Sequence, residues 1–169
     1  MQFFSRKAIA VERIHNGKKH CVDGPALELK NGDRIWYING KEHREDGPAS
    51  DQKRIKAWYI NGKKHRLDGP AIEMKTCNEW WQNNQLHRLD GPAVEHSNGC
   101  KEWHVFDKLH RLDGPAIIFE YGEEYFQYDE MHREDGPAIK DRENIEYWLC
   151  GVQYTLEDYL KLIKLDSLP

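Results

Sequence analysis

The residues with the clearest chemical potential are a histidine and an aspartate three positions apart, a pair that recurs along this 169-residue chain. The tract His-x-x-Asp-Gly-Pro-Ala begins at His20, His43, His65, His87, His110 and His132. Such a pair suits general acid–base work or metal ligation. Catalysis, however, needs one asymmetric constellation with distinct partners. Six equivalent copies point instead to a packing or turn requirement, so no catalytic residue, metal ligand or cofactor is assigned and the chain reads as a non-enzyme. Arginine follows the histidine in five copies, as Arg44, Arg66, Arg88, Arg111 and Arg133, with Cys21 in that slot of the first. An arginine ladder can hold phosphate or a carboxylate-rich partner. The competing and preferred reading is internal pairing with the aspartate row, or with Glu45 and Glu134.

These residues must be positioned by a repeating element, because the tract returns every 22 or 23 residues. An aromatic pair precedes each histidine by seven and six positions. The pairs are Trp36-Tyr37, Trp58-Tyr59, Trp80-Trp81, Trp103-His104 and Tyr125-Phe126. One further period gives Tyr147-Trp148 with Tyr154 in the histidine slot, and Arg13-Ile14 fills the aromatic slots before His20. Degenerate end copies are expected where a repeat meets solvent. Three residues before the histidine stand Gly17, Gly40, Gly62, Asn84, Asp107, Asp129 and Gly151, types that tolerate positive φ. Asn16-Gly17, Asn39-Gly40 and Asn61-Gly62 are strong type I′ hairpin signals. A looser turn recurs at Asn31-Gly32, Asn98-Gly99, Tyr121-Gly122 and Glu143-Asn144.

Each period therefore predicts two short strands, and the whole an all-β repeat: an elongated, curved antiparallel sheet of tandem hairpins. In the tract, glycine is expected to supply permissive dihedrals before proline, and the small alanine close approach of the next strand. Neighbouring residues of a strand face opposite ways. Trp36, Trp58, Trp80, Trp103, Tyr125 and Tyr147 should line one face, and Tyr37, Tyr59, Trp81, His104, Phe126 and Trp148 the other, as stacked rows. Of these, Trp36, Trp58, Trp80, Trp103, Tyr37, Tyr59 and Trp81 join the five arginines as candidate binding residues. Lys18, Lys19, Lys41, Lys63, Lys64 and Lys108 cluster near the tight turns. At the C-terminus, Thr155 and Asp158 form a capping box, and Leu156, Tyr159, Leu160 and Ile163 fall on one helical face. The expected organisation is a repeat array over 1–154 and a capping helix with tail over 155–169.

Composition narrows the function classes. Lys+Arg 25 against Asp+Glu 29 gives a net charge of −4, which argues against a polybasic nucleic-acid binder. No apolar run approaches the ~20 residues of a membrane helix, and the N-terminus lacks a signal-peptide core. Cys21, Cys77, Cys100 and Cys150 show no zinc spacing, and equivalent slots two strands apart are too distant for a disulfide. Free thiols in a cytoplasm are expected.

The run aromatic-Tyr-x-Asn-Gly-Lys-x-His, followed by a short strand and another Asn-Gly, resembles the MORN repeat and its variants over about residues 12–154. The chain departs from typical MORN units after the histidine, where Arg-x-Asp-Gly-Pro-Ala replaces glycines. That version resembles arrays of tailed phages and giant viruses. The resemblance implies a β-hairpin binding platform of viral origin, acting in the host cytoplasm on a host protein of defence or regulation. Other readings are sequestration of a small anionic nucleotide-type ligand by arginine and aromatic residues, a virion-structural role, and assembly into homo-oligomers.

Overall fold

The computed structural model describes residues 8–166, which divide into two units at Gln85/Leu86. Strands in both units pair antiparallel with their neighbours in chain order. The N-terminal sheet is built from Ile9–Glu12, Leu27–Leu29, Arg34–Ile35, Ser50–Gln52, Ile55–Ala57, Ile72–Met74 and Cys77–Glu79. In the C-terminal unit the order is Val94–His96, Lys101–Glu102, Ile117–Phe119, Gly122–Glu124, Ile139–Lys140, Ile145–Leu149 and Val152–Tyr154. One helix follows, Leu156–Asp166. The fold is all-β, as the repeat predicts, and no helix among the described residues is long and apolar enough to cross a membrane.

Register explains which side is dry. Leu27, Ile35, Ser50, Ala57 and Ile72 are successive cross-strand partners, and all are buried. Their neighbours Glu28, Arg34, Asp51, Lys56 and Glu73 pair on the opposite face, where charges alternate in sign. Cross-strand neighbours of opposite charge are favourable, and this face needs no apolar cover. Leu27, Leu29 and Ile35 form the tightest apolar cluster, with Ile9 and Tyr37 packed against it.

The prediction of two strands per period needs correction, because the sheet strand is broken at the aromatic pair in every period but the last, where Ile145–Leu149 runs through Tyr147-Trp148 unbroken. Trp36 ends the sheet strand: its N–H donates to Ala49 O at 2.7 Å, and its carbonyl accepts His43 N. Beyond it the chain makes a separate small hairpin, Tyr37–Ile38 with Lys41–Glu42, before the Asp-Gly-Pro loop returns it to the sheet. A period thus holds four short strands. Successive hairpins are tied to one another, for example by Cys21 N to Tyr37 O at 3.0 Å and Gly40 N to Lys19 O at 2.8 Å. Those ties satisfy backbone groups that would otherwise form an open edge.

The tract alanine is where the periods close up. Ala26, Ala49, Ala71, Ala93, Ala116 and Ala138 are all 0 % exposed. A larger side chain has no room there, which accounts for the small residue at every copy.

Candidate functional site

The His-Arg-x-Asp-Gly-Pro loops carry the candidate residues, and one copy shows how they are held. Arg66 Nε donates to Asp68 Oδ1 at 3.0 Å, while Nη1 donates to Pro70 O at 3.1 Å and to Glu73 Oε1 at 2.8 Å. Its guanidinium carbon lies 4.0 Å over the centre of the Trp58 ring. Arg44 repeats this with Asp46, Pro48 O and Trp36, Arg111 with Asp113, Pro115 O and Trp103, and Arg133 with Asp135, Pro137 O and Tyr125. Arg88 likewise holds Asp90, Pro92 O and Glu95. The preferred reading of the arginine row as internal pairing is what the loops show. The arginines keep the Asp46, Asp68, Asp90, Asp113 and Asp135 carboxyls below their ordinary 3.8.

This geometry also corrects the role of the tract glycine. Among Gly24, Gly47, Gly69, Gly91, Gly114 and Gly136, none has a left-handed φ. A Cβ on Gly69 would instead stand 2.8 Å from Arg66 Cζ, so glycine leaves the seat for the guanidinium. Gly24 sits in the copy with Cys21 and has nothing within 4 Å. There the proline carbonyl is reached by Arg13, which occupies the aromatic slot. Gly69→Ala is therefore expected to displace the Arg66 guanidinium from Asp68 and Pro70 O and so cost about 1–2 kcal/mol, and Gly24→Ala to stay within about 0.5 kcal/mol of wild type. Urea midpoints of the two variants measure the difference, and equal shifts would refute the assigned role.

Histidine serves the next turn. Nδ1 of His20, His43, His65, His87 and His132 accepts the backbone N–H of Asn39, Asn61, Asn83, Phe106 and Cys150 at 3.0–3.3 Å. Each donor is the first corner of the following tight turn and has φ near +50°. Asparagine adopts that angle readily, whereas Phe106 and Tyr128 do so under strain. Both rings lie flat on the preceding histidine, Phe106 4.0 Å from His87 and Tyr128 3.9 Å from His110 between centroids. His110 Nδ1 is buried without a hydrogen-bond partner. Where the second corner is Asn84, Asp107 or Asp129 instead of glycine, its side chain accepts the N–H of Lys64, Leu86 or Leu109 in the previous hairpin.

The two aromatic rows differ in their partners, and among the described residues neither forms a continuous stack of rings. Among the described residues, Trp36, Trp58, Trp103 and Tyr125 are each faced by an arginine. In the second row, Tyr37 lies on the apolar cluster, and burial beside Glu42 pushes its hydroxyl well above its ordinary pKa. Burial also raises Tyr59, and Trp81 Nε1 donates to Glu79 at 2.7 Å. Lys19 and Lys64 lie over Tyr37 and Trp81, and so belong to the hairpins. The carbonyls of Tyr37, Tyr59 and Trp81 accept the N–H of Cys21, Arg44 and Arg66 at 3.0–3.1 Å, which ties this row to the loops through the backbone, and Trp80 is half-buried.

Between adjacent loops lie furrows of one chemistry. Trp36 and Ile38 contribute to a cavity of 890 Å³ between the first two loops, and Trp58 and Ile60 to one of 680 Å³ between the next two. In the C-terminal unit, Trp103 and Val105 line 510 Å³ between the Leu89 and Leu112 loops. The rims carry Val22, Leu67, Leu89 and Leu112, each 74–79 % exposed, at the slot between arginine and aspartate. The sequence signal for this row was present as an apolar residue inside an otherwise polar loop. Histidine and aspartate of one tract do not converge on a common point: one binds the next turn, the other its arginine. No group of three potential metal ligands occurs among the described residues, and all four cysteines are free thiols. No family model and no curated protein matches the chain.

Proposed function

We propose that the chain is a non-catalytic repeat scaffold that binds a protein partner along its His-Arg-x-Asp-Gly loops. One observation carries this reading: Val22, Leu67, Leu89 and Leu112 stand in water at the same slot of the repeat. Histidine, arginine, aspartate and alanine of the tract are consumed by the fold, but this slot is not. Keeping an apolar side chain exposed forgoes about 25 cal/mol per Å². A partner that covers it recovers that energy, with furrows between the loops to receive its side chains.

Charge supports the choice of partner. The rim carboxylates Asp46, Asp68, Asp90, Asp113 and Asp135 are ionised at neutral pH, and Glu45 and Glu134 add to them. A complementary surface is apolar with cations around it. The arginine donors turn inward to aspartate and proline, which removes the support they lent to an anionic ligand on this face. The phage- and virus-type form of the repeat favours a host protein of defence or regulation as the partner, met in the host cytoplasm.

The test is affinity capture from host cells with wild type and a Leu67→Glu/Leu89→Glu/Leu112→Glu variant. Wild type is expected to retain one host protein in stoichiometric amount. The variant should bind it at least about 100-fold more weakly, since each buried leucine contributes about 1.5–3 kcal/mol. Its melting temperature should stay within about 2 °C of wild type, because the three side chains are already in water. Equal capture by both proteins, or no stoichiometric partner, would sink the reading.

A further inference from the structure

We propose that the turn ends of two neighbouring sheet hairpins in the N-terminal unit form a binding site for a small, multiply phosphorylated molecule. The hairpins are Ser50–Gln52 with Ile55–Ala57, and Ile72–Met74 with Cys77–Glu79. Their turns, residues 53–54 and 75–76, border a cavity of 730 Å³. Lys53, Arg54, Lys56 and Lys75 line it, with Ile55 and Met74 as apolar lining.

Acidic residues that could neutralise these cations are engaged elsewhere. Glu73 lines the same cavity, but its Oε1 is bound by Arg66 Nη1 at 2.8 Å. Asp51, the cross-strand partner of Lys56, is bound by Arg34 Nη2 at 2.8 Å. Asp33 accepts the backbone N–H of Lys53 on Oδ1 and the Asn31 side chain on Oδ2. Among the described residues, the side chains of Lys53, Arg54, Lys56 and Lys75 therefore form no ion pair. Lys53, Arg54 and Lys75 gather three cations at the turn ends, beside Lys56 on the adjoining strand between Asp51 and Glu73, in a chain of net charge −4. Mutual repulsion disfavours that arrangement until an anion enters.

The fold does not ask for cations at these turns. Equivalent turns in other periods are Asn31-Gly32-Asp33, Ser97-Asn98-Gly99 and Asp141-Arg142-Glu143-Asn144. The basic set is a local departure from the repeat, as a site is and a packing rule is not. The cavity is of a size that takes a small ligand. Lysine and arginine together suit phosphoryl oxygens, arginine through paired N–H donors. A single carboxylate would leave most of the positive charge unmatched, whereas a di- or triphosphate would not. Ile55 and Met74 offer the remainder of the molecule an apolar contact. This site is separate from the furrows of the loop face, so its failure leaves the protein-binding reading standing, and the reverse also holds.

The experiment is calorimetric titration of the full chain at low ionic strength with ATP, inorganic pyrophosphate and adenosine. ATP and pyrophosphate are expected to bind once per chain, and adenosine not at all. A Lys53→Ser/Arg54→Ser/Lys75→Ser variant should bind ATP at least about 30-fold more weakly, with an unchanged circular dichroism spectrum and melting temperature. Absence of ATP binding, equal binding by the variant, or equal binding of adenosine overturns the proposal. Tighter binding of a single-stranded oligonucleotide, falling steeply with salt, overturns it in favour of a nucleic-acid backbone.

Discussion

Replacing Tyr159 by alanine is expected to destabilise the C-terminal unit by about 3–5 kcal/mol, the range for removing a large buried aromatic side chain. Tyr159, on the terminal helix, is 1 % exposed. Its ring lies 4.9 Å from that of Tyr147, in the last aromatic pair. Its hydroxyl donates to Arg133 O at 3.0 Å and accepts Gly136 N–H at 2.9 Å. Burial raises the pKa of that hydroxyl above its ordinary 10.0, so the donated proton is present at every pH of interest. The helix thus fastens the His132–Ala138 loop through Arg133 O and Gly136 N–H. Tyr159→Phe should cost less, about 1–3 kcal/mol, because it keeps the ring and leaves a backbone donor and acceptor without that partner. Urea unfolding followed by tryptophan fluorescence gives both numbers. Hydrogen exchange at the Gly136 amide should accelerate in both variants. An unchanged urea midpoint for Tyr159→Ala would remove the helix from its capping role.

The helix also shows where sequence periodicity is sufficient and where it stops. Thr155 caps it as read, with Asp158 N donating to Thr155 Oγ1 at 3.2 Å. The buried face is only partly the one the spacing suggests. Tyr159 is covered, but Leu156 and Leu160 are exposed while Leu162 and Ile163 are half-buried. A 3.6-residue period names a stripe, and the sheet it meets decides how wide the covered part is.

In the array, spacing was enough to place every tight turn, since Asn39, Asn61 and Asn83 do adopt positive φ. It was not enough to reveal the break at Trp36 or Trp58. That break depends on whether the tryptophan N–H pairs across to an alanine 13 residues on, a non-local bond that local propensity does not encode. The arginine row was legible as a choice between partner and pairing, and aspartate two residues later was the clue. Glycine's role was not legible, because a turn glycine and one that makes room for a guanidinium look alike in sequence. The basic cavity escaped for another reason: repeat analysis looks for what recurs, and Lys53, Arg54 and Lys75 do not.

Mild acid is expected to weaken the C-terminal unit, through His87 rather than the aspartates. Five of the six tract histidines present Nδ1 as an acceptor to a backbone N–H of the following turn. For His87 that donor is Phe106 N–H at 3.3 Å, and burial holds the imidazole below its ordinary 6.5. Protonation turns the acceptor into a donor facing a donor, so folding favours the neutral His87 ring. The unfolded chain then binds more protons than the folded one as pH drops below 6.5, and stability falls with it until the lowered folded value is passed. The lost bond is worth on the order of 1 kcal/mol. Glu124, raised above 4.5 by burial, opposes the loss, but only toward the lower end of the range. The loop aspartates Asp90, Asp113 and Asp135, held below 3.8, do not titrate between pH 7.5 and 5.5. Over that interval the urea midpoint is expected to fall by about 0.5 M, taking a slope of about 2 kcal/mol per M. His87→Gln, whose amide oxygen accepts the same N–H at any pH, should show a smaller fall. Equal midpoints of the wild-type protein at the two pH values would mean that His87 holds its turn by shape alone.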